Sequence, residues 1–102
     1  IREVMEANFC FNLSMEEFAR LCHRSLSSFK RDFRSTFDTS PGKWILQRRL
    51  DYSATMLKNP DLQITRIAFE CGFEDLSHFS RAFKERFGSS PSAFREALRD
   101  QA

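Results

Sequence analysis

Phenylalanine recurs every fourth residue at Phe29, Phe33 and Phe37, and the same triad returns at Phe79, Phe83 and Phe87. Residues at i, i+4 and i+8 line one face of an α-helix, so each triad marks a helix with a heavy aromatic inner face. The repetition extends beyond the triads. Leu26, Ser27, Arg31, Arg34, Ser40-Pro41 and Trp44 are answered 50 positions later by Leu76, Ser77, Arg81, Lys84, Ser90-Pro91 and Phe94. Upstream the shift is 49, pairing Ala19 with Ala68 and Cys22 with Cys71, so the second copy has one extra residue in the turn Gly72–Asp75. Two copies are too few for a solenoid. One structural unit is used twice.

At 102 residues the chain makes one compact domain, or two very small ones sharing a core. An apolar content of 41%, with 12 phenylalanines, is enough to bury that core, and three glycines with three prolines argue against long loops. No run of 18 apolar residues exists, so no membrane span is expected. No signal peptide is visible, although Ile1 is not a natural start and the true N-terminus is expected upstream. Three cysteines, an odd number, argue against a disulfide framework and for a reducing cytoplasm.

Capping signals divide the chain into helices. A helix over 1–9 turns Val4 and Met5 inward. Ser14-Met15-Glu16-Glu17 is a capping box opening a helix over 15–22, and Ser25 caps a third over 26–37. Ser40-Pro41 opens the longest, over 41–58, which Asn59-Pro60 stops. The pattern then repeats as 63–71, 76–87 with Gly88 closing it, and 91–99; Asp61 is the expected cap of the first of these. No segment alternates like a strand. The expectation is an all-α fold of seven helices.

Each copy is a short helix, a tight turn and a longer helix, the arrangement whose second helix can lie in a DNA major groove. Advancing ~100° per residue from Phe29 places Phe33 and Phe37 in one arc and Ser27, Lys30, Arg31 and Arg34 in the opposite one. In the second copy Ser77, Ser80, Arg81 and Lys84 point outward. Arginine bonds guanine O6 and N7 in bidentate fashion, and serine and lysine reach bases or phosphates. These eight residues are the base-facing candidates. Charge distribution agrees: residues 23–49 hold seven Lys/Arg against Asp32 and Asp38, whereas residues 1–20 hold four glutamates against Arg2 and Arg20. Phosphate candidates are the helix starts at Ser14, Ser40 and Ser90, with Arg24, Lys43, Arg48 and His78.

The run Ile64…Ile67-Ala68…Cys71-Gly72-Phe73…Asp75…Ser77-His78-Phe79-Ser80-Arg81…Phe83-Lys84…Phe87-Gly88…Ser90-Pro91…Phe94-Arg95 resembles the signature of the AraC/XylS family of bacterial transcription regulators. In the middle helix, Trp44, Arg49, Ser53 and Met56-Leu57 fit as well, and the resemblance implies that Arg49 packs or pairs inside the domain. The resemblance covers about Leu13 to Arg95. It implies two homeodomain-like helix-turn-helix subdomains, 1–39 and 59–102, joined by a linker helix at 40–58. It further implies recognition helices in successive major-groove segments of double-stranded DNA, activation through RNA polymerase, and a separate sensing or dimerisation domain outside this chain. Departures are His23 in the first turn, Asp38 where the second copy has Gly88, Gln63 at a usual Ser/Thr cap, and Ser53 for alanine. His and Asp both tolerate the left-handed backbone those turns require. Leu26 and Leu76 sit at the edge of the phenylalanine arc, where partial burial competes with contact to a thymine methyl.

Other chemistry finds little support. Cys10, Cys22, Cys71, His23 and His78 have no metal-ligand spacing, and the matched Cys22 and Cys71 fit core packing. No cofactor loop and no nucleophile with a positioned base is present, so an enzyme is not expected. The competing readings are a helical protein-interaction module for an acidic partner and a structured-RNA binder. A linker of about 17 residues spans ~26 Å, against ~34 Å between successive groove faces. Either the DNA bends, or one motif docks fully while the other touches only backbone.

Overall fold

The structure, a computed structural model, describes residues 1–101. Seven helices and no strand occur among them: α1 (Arg2–Asn8), α2 (Met15–Leu21), α3 (Leu26–Phe37), α4 (Pro41–Met56), α5 (Ile64–Glu70), α6 (Leu76–Phe87) and α7 (Pro91–Asp100). The expected ends hold to within about two residues. The linker α4 stops at Met56 rather than residue 58.

Side-chain caps account for most starts. Ser14 and Glu17 form the reciprocal capping box, and Ser25, Ser40 and Ser90 each accept the N–H three residues on. Asp75 caps α6 with a carboxylate, accepting the His78 N–H at 2.7 Å. A charged acceptor makes this the shortest of these caps. The cap expected from Asp61 is not made. Gln63 stands at the N-cap of α5 with no side-chain bond. Asp61 lies two residues too early, in a turn where its own N–H donates to Asn59 Oδ1.

There are two hydrophobic cores. The first gathers Met5, Phe18, Ala19, Cys22, Phe29, Phe33 and Ile45. The second gathers Leu50, Leu57, Ile67, Ala68, Cys71, Phe73, Phe79, Ala82 and Phe83. Helix α4 serves both. Its Trp44 and Ile45 pack into the first, and Leu46, Leu50, Ala54 and Met56, with the C-cap Leu57, into the second. Ser53, fully buried on α4, returns its hydroxyl to the Leu50 carbonyl at 2.6 Å. The molecule is accordingly elongated, 46 × 23 × 22 Å.

The sequence repeat is reproduced ring by ring. Phe33 stacks on Phe37 at 4.3 Å, and Phe83 meets Phe87 at 4.5 Å. Trp44 stands edge-on to Phe33, and Phe94 edge-on to Phe83. Such pairs add ~0.5–1.5 kcal/mol beyond burial. The backbone repeats too. His23 (φ 57°) matches Gly72 (φ 98°), and Asp38 (φ 58°) matches Gly88 (φ 82°). His and Asp thus occupy the left-handed conformation that the second copy assigns to glycine.

Candidate nucleic-acid interface

The longer helix of each motif, α3 or α6, is fixed from below by its phenylalanines. Phe29, Phe33, Phe79 and Phe83 are wholly buried, which leaves α3 and α6 one rotational setting each. The opposite faces are open. Ser27, Lys30, Arg31 and Arg34 on α3, and Ser77, Arg81 and Lys84 on α6, are exposed; Ser80 is half-buried. Leu26 is half-buried, whereas Leu76 is 39% exposed.

Ion pairing separates two sets of basic residues. Arg48 bonds Glu6 at 2.6 Å and lies over the Phe9 ring. Arg86 donates from Nε and one terminal nitrogen to the two carboxylate oxygens of Asp51, at 2.8 and 3.0 Å. Arg49 donates to the Phe9 and Phe11 carbonyls, and Arg95 to those of Leu57 and Asn59. These four tie helices together. By contrast Lys30, Arg34, Arg81 and Lys84 have no ion pair among the described residues. Arg31 has a 3.7 Å approach to its neighbour Asp32 and a 3.3 Å bond to Ser28 Oγ, and stays 72% exposed. A long, solvated arginine on a fixed helix is available to an external anion.

The phosphate candidates fall in different places. Lys30 and Arg34 share a depression with Ser40, Pro41 and Gly42, so the open face of α3 and the start of α4 converge. Lys43 lines a second depression with Leu46, Gln47, Ala82, Glu85 and Arg86, between the two motifs. Arg48 is not brought to either outer face: it opens beside Glu6, Phe9, Cys10 and Tyr52. Arg24 is also occupied, by Asp32 at 2.9 Å and the Cys22 carbonyl. Ser14, Ser40 and Ser90 spend their hydroxyls on caps, leaving backbone N–H groups as the anion donors at those helix starts. His78 is exposed, its ring edge-on to Phe73 at 5.4 Å.

Two features escaped the sequence reading. Arg24 and Phe73 occupy matched places, each donating its N–H to the carbonyl of Ala19 or Ala68. Arg24 turns outward, while Phe73 is buried, so the second turn carries an apolar plug that the first lacks. The other is the set of carbonyls that Arg49 holds. Backbone oxygens have no residue signature, so no motif could announce them.

Thiol chemistry is suppressed. Burial, then Cys10 and Glu70, push the Cys71 thiol up to about 12 against the pull of Arg49. Burial also raises Cys10 and Cys22. Among the described residues no group of His, Cys, Asp and Glu could hold a metal, and no helix is long and apolar enough to cross a membrane.

A family model described as a helix-turn-helix domain matches residues 18–97. Among curated proteins, the HTH-type transcriptional regulator ExsA of Pseudomonas aeruginosa is 36% identical over 92 residues, covering 90% of this chain and 33% of that protein. The virulence regulon transcriptional activator VirF of Yersinia enterocolitica is 35% identical, covering 93% and 35%. The chain thus spans about a third of the length of these relatives. Among solved structures, the DNA-binding domain of AdpA in complex with a target DNA superposes with a TM-score of 0.91 at 27% identity, covering 98% of this chain and 93% of that one. An AraC-type DNA-binding regulator from Chromobacterium violaceum gives a TM-score of 0.82 at 29% identity, covering 95% and 87%.

Proposed function

Because this chain belongs to the AraC/XylS family of helix-turn-helix proteins, we propose that it is the sequence-specific DNA-binding domain of a bacterial transcription activator, with α3 and α6 as its two recognition helices. One observation carries the reading. The arginines that build the fold are bonded to carboxylates or carbonyls, while on the outer faces of α3 and α6 Lys30, Arg34, Arg81 and Lys84 have no ion pair among the described residues and Arg31 has only a loose one to its neighbour Asp32.

Direct base contacts are assigned to Arg31, Lys30, Arg34 and Ser27 in one major-groove segment and to Arg81, Lys84, Ser77 and Ser80 in the next. Backbone contacts are assigned to Lys43, His78 and the helix starts at Ser14, Ser40 and Ser90. Arg24 and Arg48 are left out, since binding phosphate would cost each an internal partner. The outer faces differ at Lys30 against Ser80 and Arg34 against Lys84, so the half-sites are direct in orientation and different in sequence. The domain fits inside a longer regulator. The relatives' length leaves room for a sensing or dimerisation domain, and activation through RNA polymerase is what the family resemblance implies.

Selection from random duplexes followed by sequencing tests the reading. The expected product is a bipartite site whose affinity falls steeply with salt as phosphate counterions are released. Random duplex competing as well as the selected site would defeat it.

A further inference from the structure

The two cores share no buried residue, so the relative placement of α3 and α6 depends on what α4 grips. Arg49 lies on α4 between Ile45, which belongs to the first core, and Leu50, which belongs to the second. Its Nε donates to the Phe9 carbonyl at 2.6 Å and its second nitrogen to that of Phe11 at 2.9 Å, holding the α1–α2 connection. The same guanidinium lies against Gly72, in the turn of the second motif. A Cβ there would stand 2.8 Å from Arg49 Nε and 2.7 Å from the Cys10 carbonyl. First subdomain, linker and second turn therefore meet at one side chain. Two residues further on, and so ~200° around the helix, Asp51 receives the bidentate grip of Arg86 from α6 itself. The two ties hold opposite flanks of α4.

We propose that Arg49 and Asp51 are positioning residues that set the half-site spacing the domain accepts, an inference that rests on the DNA-binding reading above. Neither touches DNA in that reading. They act by holding α6 at a fixed distance and rotation from α3. Half-site spacing is a geometric property of how recognition helices are held. A tie that yields would let the helices follow more than one spacing.

The test measures affinity for four duplexes: the selected bipartite site, the same site with one base pair added or removed between its halves, and a single half-site. The wild-type chain should prefer its own spacing by roughly tenfold or more, the value of one lost bidentate base contact. Arg49→Lys, which keeps the charge but loses the fork that spans two carbonyls, should bind the single half-site as wild type does and reduce the spacing preference severalfold. Asp51→Asn should do the same. It alters only a half-exposed pair, so it carries the test should Arg49→Lys melt below the assay temperature. A uniform loss at every spacing, or an unchanged preference in the folded variants, would overturn the proposal. If the wild-type chain itself fails to distinguish the selected site from random duplex, it is the DNA-binding reading that falls.

Discussion

Left-handed backbone occurs at four of the described residues, and of the two that are glycines only Gly72 is also crowded. Gly88 has open space where a Cβ would go, so Gly88→Ala adds only conformational strain of ~1–2 kcal/mol. Asp38 already bears that conformation at the matched position. Gly72→Ala adds the same strain plus a collision with the Cys10 backbone and Arg49, a further ~1–3 kcal/mol from overpacking. Urea denaturation should rank Gly72→Ala well below Gly88→Ala, and equal losses would place the contact elsewhere. The buried thiol of Cys71 makes a second prediction. Its ionisation is raised in the fold from 9.0 to about 12, so the folded state favours the neutral thiol. That contribution is intact below pH 9 and is lost as pH rises toward 12. Relative to Cys71→Ala, wild-type stability should therefore decline across that interval. A constant difference would mean that the thiol is solvated.

Helices α3 and α6 have one inner face and two different outer ones. Phe83 is wholly buried, packs with Phe79 and Phe87 of its own helix and meets Phe94 of α7 edge-on. Phe83→Ala should cost ~3–5 kcal/mol. Calorimetry reads this directly, and an unchanged melting temperature would put the ring on the wrong face. The outer faces should respond differently. Arg31→Ala and Arg81→Ala each remove an exposed side chain, so stability should hold while affinity drops by ~1–3 kcal/mol and specificity relaxes at one base pair. Equal weakening on every sequence would instead identify a phosphate contact.

At the scale of the whole molecule, α4 is the rigid element between the two motifs, and in the proposed reading it holds both recognition helices. Its 16 residues span ~24 Å, and straight B-DNA presents successive major-groove segments ~34 Å apart. Binding both half-sites at once should bend the duplex, at a cost on the order of 1–6 kcal/mol. A circular-permutation gel should show mobility that depends on site position. Uniform mobility would favour one motif docking fully and the other touching backbone alone.

Much of this was legible from residue order. Local interactions within a few residues determine helix ends, and Ser14, Ser25, Ser40 and Ser90 each cap as their neighbours require. The phenylalanine period likewise determined which face of α3 and of α6 is inside, because a four-residue spacing leaves a helix one way to bury three rings. Asp61 is the local failure, since a candidate acid two residues early looks the same in sequence as one in register. Tertiary structure decided which charges are free. Arg48 and Arg34 look alike along the chain, yet Glu6, 42 residues away, occupies one, and no ion pair among the described residues occupies the other. It also decided how the two halves are joined. The carbonyls of Phe9 and Phe11, about 40 residues before Arg49, and the bare Cα of Gly72, about 20 after it, become its partners only when the chain folds. Backbone atoms are the same at every position, so that partnership has no trace in sequence.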